Sequence, residues 1–329
     1  MCDQKSTFNS LKVYKFQIAL CKFNLLNYFR KMFHYWAYGL EIKSELEFPE
    51  MFPYAIKKAD VEIKFGVVQV QLNSPGVVAK EKFFLSDTEY LIHLPICSFH
   101  IKEGRSITIE LKENADMPSV RLFLLTNAMA AILHQRKKVA LHAGAIQTQK
   151  GLVVICGDSG AGKSTTISAM RQRGFRIFVD DVLVLENIEE KIMGIAAYPT
   201  LKLWDDSIDK LELGTIAEEQ KLRESINKYR VSFLDDFTTK PIPIYKIFYL
   251  RKDENRTGLE TNTKVGFEAF KILYSQLYRT SLINSTFIQE KQFEKLNKLL
   301  NQSKFTEIIR PVIGNSIEEV VQLIEQELQ

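Results

Sequence analysis

The sequence predicts an α/β fold: a mixed sheet with flanking helices around a glycine-rich loop, with an antiparallel β-rich layer ahead of it. Three observations predict it. Residues 38–113 alternate apolar and polar side chains in short runs between turn residues, the pattern of an antiparallel meander solvated on one face. The apolar run Leu152–Cys156 leads into Gly157-Asp158-Ser159-Gly160-Ala161-Gly162-Lys163-Ser164, and a helical pattern follows. A second short apolar run, Phe175–Val179, ends in Asp180-Asp181.

Composition sets the outer limits. The 329 residues are 46% apolar and 26% charged, with 15 Gly and 9 Pro. That is material for one large domain or two ordinary ones, and it excludes disordered and collagen-like chains. Cys2, Cys21, Cys97 and Cys156 form no CxxC pair, so a disulfide framework and a zinc cluster are both unsupported and a reducing cytoplasm is expected. The net charge of +4 is local: residues 1–31 carry six cations against Asp3 alone, leaving the rest near neutrality. Nucleic-acid binding needs a cationic face on the folded body, so no nucleic-acid partner is expected.

In chain order, residues 1–35 form a basic amphipathic segment. Its apolar stretch Phe16–Phe29 is broken by Gln17, Lys22, Asn24 and Asn27, so neither a transmembrane span nor a signal peptide is expected. It is an interfacial helix, a helix packed on the body, or chain upstream of a start at Met32. Residues 36–117 form the β-rich domain, with alternating strands at Gly39–Phe48, Asp60–Phe65 and Ser106–Leu111. Residues 118–329 form the second domain. Pro118 opens a core helix, Ser119–Arg136, closed by Lys137-Lys138, with His134 partly solvated near its end. One strand, Val139–Ile146, pairs across the turn at 147–151 with Leu152–Cys156 and sets His142 opposite Cys156. A helix from Lys163 to Arg173 closes at Gly174. Strands at Val182–Leu185, Tyr245–Leu250 and Ile308–Ile313 follow, and Ser316-x-x-Glu319 reads as a capping box for the last helix.

The GxxxxGK[ST] motif carries the chemistry. Its glycines let successive N–H groups converge on phosphate oxygens, and the helix N-terminus adds positive potential there. Gly157 to Ser164, with Thr165 after them, would cradle a nucleoside triphosphate. Lys163 would reach the β- and γ-phosphates, and the Ser164 hydroxyl would ligate Mg²⁺. Asp180 and Asp181 end the next apolar strand, beside the loop in a βαβ unit. One carboxylate suits the metal and the other suits a proton from an incoming hydroxyl. His142 is either a partner of this site or a satisfied strand residue. Arg230 is a candidate γ-phosphate contact or a surface arginine, and Trp204 suits the core better than a stack on adenine.

His142, the loop Gly157–Ser164 and Asp180-Asp181, in that order and spacing, resemble the catalytic core of HPr serine kinase/phosphorylase. The resemblance implies the phosphoenolpyruvate-carboxykinase-like version of the P-loop fold, with ATP and Mg²⁺ as cofactors and transfer of the γ-phosphoryl group to a serine. By position it makes Asp180 the catalytic base, Asp181 the magnesium-side neighbour, and His142 the family histidine. The family's glutamate-bearing signature after the aspartates is missing, and Tyr198-Pro-Thr-Leu-Lys-Leu-Trp204 stands in its place. With the β-rich layer and His134-Gln-Arg-Lys-Lys138, that stretch looks more like the divergent kinases of lasso-peptide biosynthesis. Those phosphorylate the C-terminal serine of a precursor peptide, which would then be the partner. A homo-oligomer stays open, as do a small-molecule alcohol kinase, an HPr-like acceptor and a non-catalytic nucleotide sensor.

Overall fold

The computed structural model describes residues 31–80, 83–211, 221–223, 226–282 and 286–329. The basic N-terminal segment lies outside the described residues through position 30, and the chain is in strand from Phe33.

Nine strands make the first sheet: β1 (Phe33–Ala37), β2 (Leu40–Ser44), β3 (Phe52–Pro53), β4 (Val61–Phe65), β5 (Val78–Lys80), β6 (Phe83–Leu85), β7 (Glu89–His93), β8 (Cys97–Lys102) and β9 (Ser106–Leu111). Their order is β3-β1-β2-β4-β9-β8-β7-β6-β5. The alternation predicted from sequence holds: Leu40, Ile42 and Ser44 of β2 are buried and the residues between them half-buried. The sheet is not wholly antiparallel, however. β4 runs parallel to both β2 and β9. Alternation reports which face of a strand is buried and is silent on its direction, and the excursions at 45–60 and 66–105 are long enough to bring the chain back.

Helix α1 (Met117–Gln135) follows, with the Asp116 side chain capping Ser119 N–H at 3.0 Å and Pro118 in the first turn. Its middle, Leu124–Ala128, is a π-helical turn. Carbonyls there accept from side chains: Leu125 O from Tyr38 Oη at 2.8 Å and Thr126 O from Tyr278 Oη at 3.1 Å. By length and composition α1 could cross a membrane, but 61% of its most apolar window is buried within the protein. His134, expected to be partly solvated, is 5% exposed.

The second body is mixed α/β. After α1 come β10 (Val139–Leu141), β11 (Gly144–Thr148), β12 (Gly151–Gly157), helix α2 (Lys163–Gln172), β13 (Arg176–Val179), β14 (Leu183–Ile188) and β15 (Lys191–Ile195). Strands β16 (Thr200–Trp204), β17 (Lys221–Arg223) and β18 (Ile226–Ser232) make a small separate sheet, with helix α3 (Asp205–Lys210) after β16. The chain closes with β19 (Ile242–Asp253), β20 (Glu260–Thr263), helices α4 (Gly266–Ser275) and α5 (Thr286–Gln302), β21 (Lys304–Pro311) and helix α6 (Ile317–Gln326). The main sheet runs β10-β14-β15-β19-β12-β11-β13, with β21 also on β19 and β20 on β21. One apolar cluster passes without a break from β1 and β2 through α1 into β12, β19 and α6.

Three expectations change. The strand foreseen over Val139–Ile146 is two: β10 pairs with β14 and β11 with β12. His142 lies at the crossing, its N–H donating to Gln276 O at 2.7 Å, rather than opposite Cys156. A continuous apolar run cannot show that its two halves find different neighbours. Next, β13 is not beside β12, because β11 lies antiparallel between them; β12 and β13 still run parallel, so their C-terminal ends share one edge. Last, the capping box does not form, since Ser316 Oγ is buried without a hydrogen-bond partner.

Candidate active site

The site forms where β12 ends and α2 begins. Gly157 and Gly162 have φ of +148° and +105°, in the region open mainly to glycine. A Cβ on Gly157 would lie 2.5 Å from Leu250 O, and one on Gly162 would lie 3.0 Å from Arg310 Nη2. The turn is therefore tight against β19 on one side and β21 on the other. Gly162 caps α2 without a side chain, and the first turn holds no acid. The N–H end of α2 is left open to an anion.

Lys163 is buried, its Nζ donating to Gly157 O at 2.6 Å and Asp158 O at 3.2 Å. Burial lowers its pKa, and the charges of Asp180 and Asp181 oppose that shift. Ser164 Oγ donates to Asp180 Oδ1 at 2.9 Å, while Thr165 Oγ1 meets Ser207 Oγ at 2.9 Å. Asp180 Oδ2 accepts the Lys202 backbone N–H at 3.0 Å. Burial and then the Asp181 charge raise the Asp180 pKa.

Asp181 has φ +74°, a turn that aims its side chain away from Asp180. Its Oδ2 takes Lys202 Nζ at 2.5 Å, and its Oδ1 lies 3.3 Å from His142 Nδ1. Burial alone would raise its pKa, yet the Lys202 ammonium and His142 hold the carboxyl well below the usual range. His142 Nδ1 also contacts Asp181 O at 3.0 Å, and its ring stacks on Tyr278 with centroids 6.4 Å apart. The family resemblance, carried over by position, put Asp181 on the metal side with Ser164; here the hydroxyl bonds Asp180, and Asp181 faces the lysine and the histidine. Sequence order could not show this, because one left-handed residue reverses which carboxylate looks where.

Two cavities meet at this point. One, of about 360 Å³, lies over Gly160–Thr166 and is bordered by Asp180, Asp181, Lys202, Lys228 and Arg310. The other, of about 470 Å³, lies across the loop and is bordered by Asp158, Ser159, Gln276, Tyr278 and Arg279. Ser159, His142, Asp181, Lys202 and Lys228 belong to both walls, whereas Asp180 borders the first alone.

The structure brings together His142, the loop residues, Lys163, Ser164, Thr165, Asp180 and Asp181. It does not bring Arg230. That guanidinium pairs with Glu50 Oε1, which also takes Arg121 Nε at 3.2 Å, and Arg230 borders neither cavity. Trp204, expected in the core, is 47% exposed at the rim of the first cavity. Lys202, Lys228, Arg310 and Gln276 escaped sequence reasoning. A signal existed for Lys202: it sits between Leu201 and Leu203 in a five-residue strand where four residues are buried, and a buried lysine requires a partner charge. Gln276 fixes the loop from α4's end, its Oε1 accepting Gly157 N–H at 3.1 Å; no local pattern marks such a residue.

Mg²⁺ keeps most of its ligands as water and phosphate oxygen, with one or two from the protein. The Ser164–Asp180 oxygen pair fits that requirement. Among the described residues no group of three or more His, Cys, Asp or Glu is placed to hold a metal.

No family model and no curated protein matches the chain. Among solved structures it is similar to the HPr(Ser) kinase/phosphatase from Coxiella burnetii, at 15% identity and a TM-score of 0.32. The match covers 57% of this chain and 95% of that one. The likeness is distant, and nothing in it favours the lasso-peptide branch.

Proposed function

We propose that this chain is an ATP-dependent phosphotransferase with a P-loop of the phosphoenolpyruvate-carboxykinase-like kind, passing the γ-phosphoryl group to a serine hydroxyl. One observation carries the reading: two cavities share a wall, and the one carboxylate on that shared wall is held ionised by a lysine. The triphosphate occupies the cavity over Gly160–Thr166, with its γ end toward Lys202 and Lys228. The acceptor enters from the cavity across the loop. Asp181, which borders both, takes the hydroxyl proton as the acceptor oxygen bonds the γ-phosphorus and the bond to the β-phosphate oxygen breaks. Lys163, Lys202 and Lys228 neutralise the charge that develops on the phosphoryl oxygens. Ser164 and Asp180 would hold Mg²⁺, which when bound screens the phosphate charge.

The roles of the two aspartates are thus the reverse of those carried over from the family by position. The acceptor we favour is the C-terminal serine of a lasso-type precursor peptide, on the likeness of the Tyr198–Trp204 stretch, and the cytoplasm is where ATP and such a peptide meet. A small alcohol or an HPr-like protein is the competing acceptor. Incubation with γ-labelled ATP, Mg²⁺ and each acceptor class decides between them. Label on a peptide serine supports the proposal, label on a small alcohol moves it to the other class, and ATP binding with no transfer to any acceptor makes the chain a nucleotide sensor.

A further inference from the structure

The first cavity extends past the residues that would meet the β- and γ-phosphates. Its far wall is the chain that leaves β21: Arg310, then Val312, Asn315 and Ser316, then Ile317 and Val320 of α6. Arg310 Nε and Nη2 both donate to Ala161 O in the loop, at 3.0 and 2.8 Å. No carboxylate among the described residues pairs with it. Ser316 is 7% exposed, and its Oγ has no partner; a buried hydroxyl left unmade costs about 1–3 kcal/mol. Val312 is 42% exposed. The start of α6 carries Glu318 and Glu319, so this helix end is already compensated and is a poor seat for an anion. What fits beyond Arg310 is a ligand portion that is uncharged, partly apolar, and able to reach one hydroxyl.

The sheet order says which portion that is. The loop leaves β12; the Ser164–Asp180 contact marks the metal end on the β13 side, and β19 and β21 lie on the opposite side. A phosphate chain wrapped on α2's N-terminus with its γ end at Asp180 has its α end toward β21. We infer that the segment Arg310–Ile317 is the nucleoside half of the site, with Arg310 at the inner phosphates, Val312 and Ile317 against the base, and Ser316 Oγ bonded to the nucleoside. This deepens the proposed function and rests on the phosphate-loop reading. Rotation about the Ser316 Cα–Cβ bond is enough to bring Oγ to the ligand. The rival seat for the base is Trp204, on the metal side of the cavity, with Lys228 Nζ 5.3 Å from its ring centre.

The test is titration of ATP and of inorganic tripolyphosphate, each with Mg²⁺, against wild type, Ser316→Ala, Val312→Ala and Trp204→Ala. The expected result is about a fivefold loss of ATP affinity in Ser316→Ala, the range one hydrogen bond supplies, with tripolyphosphate unchanged. Val312→Ala, at a half-exposed position, should show the same selective loss without touching the core. Selective loss in Trp204→Ala alone, equal loss for both probes, or no loss for either overturns the assignment. Wild type that binds neither probe sinks the phosphate-loop reading itself, a failure distinct from the others.

Discussion

Two neighbouring aspartates, alike in sequence, differ in what touches them. Asp180 is walled in by Ser164 and a main-chain N–H, and burial raises its pKa. Asp181 is paired to Lys202, and that charge, with His142, overrides burial. The two substitutions should therefore separate. Asp181→Asn should lower turnover by about 10²–10⁴-fold, the range of a lost general base, with ATP affinity within about threefold of wild type. Asp180→Asn should instead raise the Mg²⁺ concentration for half-maximal rate by tenfold or more. Steady-state kinetics across a Mg²⁺ series reads both, and a normal Mg²⁺ response in Asp180→Asn with lost turnover would restore the opposite assignment. Lys163→Ala should abolish ATP binding, measured by calorimetry on protein whose folded state is checked by circular dichroism, because the loop then has no ammonium to meet the phosphates.

At the scale of elements, α1 does more than fill the core. Its π-helical turn presents carbonyls to Tyr38 and Tyr278, and Tyr278 in turn backs the His142 ring. Near its end His134 Nε2 lies 3.2 Å from Arg279 O, and its Nδ1 is buried without a partner. Burial pushes the His134 pKa down to about 4. The folded state thus resists a proton that the unfolded chain accepts below about pH 6.5. Stability should be whole above that pH and fall as pH drops toward about 4, by about 3 kcal/mol in total. Denaturant midpoints measured over this window for wild type and His134→Gln check the sign: the variant should show a flatter acid limb, and an unchanged slope would assign the loss to other groups. The helix itself was legible from Pro118 and the apolar run, whereas the burial of His134 was not. Position near a helix end says nothing of what lies against it, and here it is the turn at Arg279, 145 residues away.

For the whole molecule, the question is what ties the β-rich layer to the sheet beneath. Glu50, at the end of that layer, bonds Arg121 of α1 and Arg230 of β18, and Glu50 O accepts Thr200 Oγ1 of β16 at 3.2 Å. One carboxylate so joins the first sheet, the core helix and the small sheet that carries Lys202 and Lys228. Glu50→Ala would remove the carboxylate that two guanidinium groups share, each of them 15% exposed; the expected loss is about 3 kcal/mol, read by chemical denaturation. Arg230→Ala should likewise lower stability while leaving ATP affinity unchanged. A large rise in the Michaelis constant for ATP with unaltered stability would return Arg230 to the phosphate.

The amino-acid sequence alone determined the glycine-rich loop between strand and helix, the acidic pair after the next strand, and the alternating strands of the first layer. Each is a local pattern, set by residues within a turn or two of one another. Tertiary structure decided the rest: that β11 comes between β12 and β13, that Asp180 and not Asp181 meets Ser164, that Lys202, Lys228 and Arg310 converge on the loop, and that Arg230 is spent on Glu50. Those outcomes depend on contacts between residues 16 to 180 positions apart, and side-chain chemistry at one position carries no record of which distant neighbour the fold will bring to it.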